Sequence, residues 1–207
     1  MNNQTSEFFS GLLNAFLATG MVEWLAVISG TVYVLLAAFQ NPYCWPAGII
    51  SSALYIKINF EIGLNLDALL QVYYCGVGFY GWWFWMKKTT PQQKAVPISR
   101  TPIRYWKLLA GLCIPSALLL GFLQQRYTTS PAPYADAALT AASFAATWLT
   151  ARKYIENWII WIAADFCYVF LYAQRGYPLT SVLFLIYTFT AITGFLLWRK
   201  QIRILNA

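Results

Sequence analysis

Apolar residues do not alternate with polar ones along this chain; they come in long runs. Seven runs, near residues 22–40, 43–60, 66–86, 105–124, 133–151, 157–174 and 179–199, carry few charges and are separated by polar stretches. A helix needs about 20 apolar residues to cross the hydrocarbon core of a bilayer, so the pattern predicts seven transmembrane helices. The second and sixth runs are slightly short. Pro42 and Pro46 fall at the start of the second run, and Pro178 just before the seventh, where a missing N–H costs little. Pro115 lies inside the fourth and predicts a kink. The fifth carries Ala138, Ala141, Ala142, Ala145 and Ala146, a small-residue stripe of the kind that lets helices approach closely in lipid. Ahead of the first run, Phe8, Phe9, Leu12, Leu13 and Phe16 recur at helical spacing around Asn14 and predict an amphipathic helix on the membrane surface. Met1-Asn2-Asn3-Gln4 has no basic stretch of the kind that opens a cleavable signal peptide.

Charge sets the orientation. Lys87, Lys88, Lys94, Arg100, Arg104 and Lys107 follow the third run, Arg152 and Lys153 the fifth, and Arg199, Lys200 and Arg203 the seventh. With seven spans all three clusters lie on one side, and only Lys57, Arg126 and Arg175 on the other. The positive-inside rule then places the C-terminus in the cytoplasm and the N-terminus outside. The net charge of +7 is explained by these loops, which argues against a nucleic-acid partner. Only 10% of the 207 residues are charged, against about 25% in soluble domains. Cys44, Cys75, Cys113 and Cys167 all lie in apolar segments without metal-ligand spacing, and the chain has no histidine. Neither a metal site nor a disulfide is expected.

Two spaced phrases suggest a repeat. Asn41-Pro42-Tyr43-Cys44-Trp45 is answered by Asn157-Trp158-Ile159-Ile160-Trp161, and Gly78-Phe79-Tyr80-Gly81-Trp82 by Gly194-Phe195-Leu196-Leu197-Trp198. One offset of about 116 residues aligns both pairs, the mark of an internal repeat. The expected organisation is all-α and polytopic, one integral membrane domain in a 3+1+3 arrangement. It comprises an extracytoplasmic helix within 1–21, a three-helix bundle over 22–86, a cytoplasmic loop at 87–104, a connector helix at 105–124 and a second bundle over 133–200. An odd connector makes the two bundles parallel, a construction that transporters use with the substrate held at the repeat interface.

Asp165 is the most informative residue. It lies mid-segment on one helix face with Asn157 and Trp161. Intramembrane acids face a cavity or a partner, and a protonated carboxyl bonded to a neighbouring helix is the bland alternative. At the offset above its counterpart is Ile49. Gln71, Tyr74, Gly78 and Trp82 share a face of the third helix; Tyr187, Thr190, Gly194 and Trp198 share one of the seventh. The glycines and tryptophans read as packing, with Trp82 and Trp198 in an aromatic belt beside the basic clusters. Gln71, Tyr74 and Tyr187 read as pocket residues. Trp and Tyr faces, amides and one acid suit an aromatic cation with hydrogen-bonding groups. They do not suit a phosphate, because basic residues occur only near segment ends. An embedded enzyme would need a nucleophile–base pair, a metal site or two placed carboxylates, and the sequence offers none of these.

With both halves laid out, residues 40–55 (QNPYCWPAGIISSALY), 71–85 (QVYYCGVGFYGWWFW) and 156–200 resemble the PnuC family of bacterial nicotinamide riboside transporters, and the likeness extends from the first segment to the last. The resemblance implies the fold of full-length SWEET transporters, a homotrimer, and uptake by facilitated diffusion with a separate cytoplasmic kinase trapping the riboside. It implies no cofactor, and no partner beyond substrate, membrane lipid and that kinase. On this reading Trp45, Trp161, Tyr74 and Tyr187 flank the pyridinium ring. Asn41, Gln71 and Asn157 bond the carboxamide or hydroxyls, and Asp165 bonds ribose or offsets the ring charge. The Asn-Trp phrases have a structural alternative, as holders of helix starts, hinges or gates. Another vitamin-like riboside or aromatic cation is an alternative cargo, and a non-transporting receptor or channel an alternative role.

Overall fold

The computed structural model describes residues 10–11, 13–14, 16–61, 65–87, 96–128 and 130–205. It is all-helical apart from a single parallel bridge. Seven long helices fall on the seven apolar runs: α1 (Met21–Ala38), α2 (Cys44–Glu61), α3 (Asn65–Met86), α4 (Ile103–Tyr127), α5 (Pro133–Ala151), α6 (Asn157–Gln174) and α7 (Pro178–Leu205). By length and composition α1, α4 and α7 are apolar enough to cross a membrane. Of the proposed N-terminal helix, residues 10–11, 13–14 and 16–18 are helical, and Phe16 packs its ring 4.7 Å from Trp24. Phe8, Phe9 and Leu12 lie outside the described residues.

Six helices close a ring in the order α1, α2, α3, α5, α6, α7 and back to α1, while α4 stands outside and packs on α5. At that seam Gly121 of α4 makes room for the Tyr134 ring, which a Cβ there would approach to 2.4 Å and force to shift. The outer surface is apolar: Leu118, Phe122, Phe189 and Leu196 are all more than half exposed.

The helix ends show why the chain turns where it does. α1 and α5 close with the same motif. Asn41 N–H donates to Leu36 O and Gln40 N–H to Ala37 O; Tyr154 N–H donates to Leu149 O and Lys153 N–H to Thr150 O. Each pair satisfies carbonyls that a helix C-terminus leaves open, and each needs one left-handed residue. Those residues are Gln40 and Lys153, both at φ 56°. α6 ends the same way with Gly176 at φ 78°, where glycine takes the conformation freely.

A layer of tryptophans fills the end of the ring nearest these two turns. Trp45 and Trp85 meet edge-to-face at 5.5 Å, and Trp158 and Trp198 do the same at 5.4 Å. Gly81 gives room to Trp45, and Gly194 to Trp158. Trp85 donates its N–H to the carbonyls of Thr150 and Ala151, while Trp198 donates to those of Ala37 and Ala38. One shift carries the first member of every pair to the second, and it is three residues shorter than the offset read from the letters. Trp45 therefore answers Trp158, Gly81 answers Gly194, Trp85 answers Trp198, and Asp165 answers Ser52 rather than Ile49. Trp198 is fully buried, so it belongs to this core and not to an interfacial belt.

The segment before α4 is strapped to the α5–α6 turn. Ser99 N–H donates to Lys153 O, Ile155 N–H donates to Ser99 O, and Glu156 accepts from the Thr101 N–H at 2.9 Å and hydroxyl at 2.7 Å. The α1–α2 turn is held instead by α7, through Gln40 and Gln201.

Candidate functional site

Hydroxyl or carboxyl side chains from every helix of the ring approach one another. Asp165 of α6 is buried, 5% exposed, and has no hydrogen-bond or ion-pair partner among the described residues. Tyr74 of α3, Tyr168 of α6 and Tyr187 of α7 all lie within electrostatic range of it. Ser143 of α5 faces both Tyr74 and Tyr168. On the opposite flank the Tyr187 hydroxyl lies 3.3 Å from Thr31 Oγ1 of α1, and Tyr55 of α2 lies near Tyr187. Gly30 keeps this flank open: a Cβ there would sit 3.0 Å from Ser51 Oγ and 3.5 Å from the Tyr187 hydroxyl.

The local sequence explains the convergence. Asp165 and Tyr168 are three apart and share a face of α6. Ser143 interrupts the alanine stripe of α5, which brings that helix close enough for its hydroxyl to reach two tyrosines from other positions on the ring. Aromatic rings continue the wall: Tyr168 packs on Phe184 at 4.7 Å, and Phe184 on Tyr187 at 5.9 Å. None of the groups acting on Asp165, Tyr74, Tyr168 or Tyr187 is a lysine or arginine.

The expected site residues divide. Tyr74, Asp165 and Tyr187 come together as described. Gln71 is half-buried one turn before Tyr74 on α3. Trp45 and Asn157 are fully buried in and beside the tryptophan layer. Trp161 is half-buried against that layer, with its N–H 3.4 Å from Thr150 Oγ1. Asn41 Oδ1 accepts the Tyr43 N–H, and Asn157 Nδ2 donates to Tyr154 O, so both asparagines hold the starts of their helices. Three buried polar atoms in the layer have no partner: the N–H groups of Trp45 and Trp158 and the Oδ1 of Asn157. Ser143, Tyr168 and Thr31 were not singled out from sequence. For Tyr168 the spacing from Asp165 is a signal; Thr31 matches Thr147 at the 116-residue offset but carries no sign of a site role, and Ser143 reads as another small residue.

At the edge of the layer Lys153 is 2% exposed, with Nζ 4.6 Å from the Trp85 ring. Burial lowers its pKa from the usual 10.5 to about 8. Its neighbour Arg152 donates to the Tyr80 hydroxyl at 2.8 Å, and this bond raises the guanidinium pKa further.

Comparison with known proteins agrees with this architecture. A crystal structure of the vitamin B3 transporter PnuC superposes with a TM-score of 0.70, covering 98% of this chain and 93% of that one at 18% identity, which establishes the fold. The nicotinamide riboside transporter PnuC of Escherichia coli (strain K12) is 25% identical, over 88% of this chain and 86% of its own length. That of Neisseria mucosa is 23% identical, over 87% and 74%. The family model described as nicotinamide mononucleotide transporter matches residues 20–200. The chain therefore belongs to the nicotinamide mononucleotide transporter family, a family of membrane transporters rather than enzymes.

Proposed function

We propose that this protein carries nicotinamide riboside across a bacterial inner membrane by facilitated diffusion. The observation that carries this reading is Asp165: a buried carboxyl group without a cation, within electrostatic range of three tyrosine hydroxyls, in a closed ring of helices. An ionised acid taken out of water costs several kcal/mol unless a charge offsets it. A pyridinium cation supplies that charge, and ring faces attract it further. Tyr74 and Tyr187 flank the ring, with Gln71 positioned to bond the carboxamide. Trp45, Trp161, Asn41 and Asn157 act from the layer beneath, as the floor that the cargo must pass.

Relatives are named for the riboside and the family description for the mononucleotide. The absence of lysine and arginine among the groups acting on this site favours the riboside, since a phosphate would meet Asp165 with no basic partner. All seven helices span the membrane in a 3+1+3 arrangement with two parallel bundles, α1–α3 and α5–α7. The reciprocal tryptophan contacts support this pairing. The tryptophan layer lies at the cytoplasmic end, with the N-terminus outside and the C-terminus inside, a reading that the basic clusters after α3, α5 and α7 support. The bundles rock about the site, the chain assembles as a homotrimer, and phosphorylation by a separate kinase keeps the inward gradient.

Uptake of labelled nicotinamide riboside into proteoliposomes tests the reading. Entry is expected down the substrate gradient without an imposed Na⁺ or H⁺ gradient, with the monophosphate left outside. Binding without uptake would leave a receptor, collapse on removing an ion gradient would end the uniport reading, and carriage of the monophosphate would end the trapping scheme.

A further inference from the structure

The last turns of α7 line a groove of about 350 Å³ between Leu196, Arg199, Lys200, Arg203 and Ile204. On a helix these five positions fall within one broad face. Its ends are apolar, with Leu196 57% and Ile204 66% exposed, and its middle carries three cations. None of the three has an ion-pair or hydrogen-bond partner among the described residues, whereas most other described cations are engaged. Arg175 pairs with Asp136, Lys57 with Glu61, Arg152 bonds Tyr80, and Lys87, Arg104 and Lys153 sit over aromatic rings. The groove is also held in place. Gln201, on the same two turns, bonds Gln40, and Ile202 packs against the tryptophan core.

We infer that this groove is a binding site for an anionic phospholipid. The phosphate lies among Arg199, Lys200 and Arg203, and an acyl chain follows Leu196 along the apolar flank of α7. Charge complementarity selects the headgroup: three unpaired cations meet one phosphate diester, and arginine offers it paired N–H donors. The apolar residues at the groove's ends select a lipid over a soluble phosphate. Trp198 lies within this stretch with its N–H bonded to the end of α1, so an occupied groove braces the α1–α7 seam. The site is separate from Asp165, and its test does not depend on what the protein transports.

The test is native mass spectrometry of the full chain, released from detergent with phosphatidylglycerol or phosphatidylcholine added. Wild type should retain phosphatidylglycerol, and the triple variant R199Q/K200Q/R203Q should retain about tenfold less, given the strength of charge-assisted phosphate contacts. Phosphatidylcholine retention should be low and equal in both. The double variant R100Q/K107Q, which removes charge outside the groove, should behave as wild type. Equal phosphatidylglycerol retention in wild type and triple variant overturns the site. So does an equal loss in R100Q/K107Q, or full displacement of the lipid by glycerol phosphate, which lacks acyl chains. If the triple variant does not fold, the single Arg203→Gln at the exposed end of the groove takes its place, with a smaller loss expected and the same overturning results.

Discussion

Trp198 donates its indole N–H to the carbonyl of Ala38 at 3.1 Å, and in doing so closes the C-terminal end of α1 with a side chain from α7. The last carbonyls of a helix have no partner within it. Here a tryptophan from the neighbouring helix supplies one, and Trp85 does the same for Ala151 at the end of α5. The α1–α7 and α3–α5 seams, which join the two halves of the ring, thus each contain a buried indole bridge.

Replacing Trp198 or Trp85 by Phe keeps most of the ring volume but deletes the donor and leaves one carbonyl unpaired, that of Ala38 or Ala151, because Ala37 O and Thr150 O keep the Gln40 and Lys153 N–H groups. Leaving a buried polar group unsatisfied costs about 1–3 kcal/mol. Each variant should melt at a lower temperature in detergent than wild type. The two rings lie 6.0 Å apart, close enough for the double variant to depart from additivity. Melting temperatures that match wild type would mean the bridges contribute nothing to holding the halves together.

Gly81 and Gly194 should tolerate no side chain. A Cβ at Gly81 would come 2.4 Å from Trp45, and one at Gly194 would come 2.7 Å from Trp158. Overpacking of this kind costs about 1–3 kcal/mol. Gly111 of α4 has nothing within 4 Å of such an atom. Gly81→Ala and Gly194→Ala are therefore expected to lower the melting temperature and the yield of folded protein, with Gly111→Ala unchanged. A destabilised Gly111→Ala beside an unaffected Gly81→Ala would contradict the packing described.

All seven helices were legible because sparsely charged apolar runs mark them out. The repeat was legible too, but its register was not. A slip of three residues is close to one helical turn. It moves each residue along its helix while leaving it near the same face, so Trp45 could be matched to Trp161 as readily as to its contact equivalent, Trp158. Asp165, Tyr74 and Tyr187 stood out by type and face. Ser143 did not, because among alanines a serine reads as another small residue, and only the approach of Tyr74 and Tyr168 gives its hydroxyl a role. Nor does the sequence tell that Asn157 is enclosed, with its amide N–H turned back to the Tyr154 carbonyl.

Lys153 should make stability depend on pH. Burial lowers its folded pKa to about 8, against 10.5 when exposed. Below pH 8 both folded and unfolded chains hold the proton, and the cost of enclosing the ammonium is fully present. Between pH 8 and 10.5 the unfolded chain binds more protons than the folded one, so stability rises with pH. Lys153→Met removes this contribution. Wild type should gain stability relative to Lys153→Met as pH increases from 8 to 10.5, read from paired melting curves. Parallel curves across that window would show that the amine does not titrate there.

The charge of Asp165 can be separated from its hydrogen bonding by changing the cargo. Asp165→Asn keeps size and polarity but removes the negative charge, and contacts to a charged group are worth about 1.5–3 kcal/mol. Affinity for nicotinamide riboside, measured by calorimetry on the purified protein, should fall about tenfold or more. The reduced riboside has an uncharged ring and should lose far less. Tyr168→Phe deletes one neutral hydroxyl, worth about 0.5–1.5 kcal/mol, and should weaken both ligands alike. The contrast between the two variants identifies the role: a charge partner discriminates between the oxidised and reduced rings, and a hydrogen-bonding wall does not. Equal losses for both ligands in Asp165→Asn would remove the cation from this carboxylate and leave it a polar group of the helix ring.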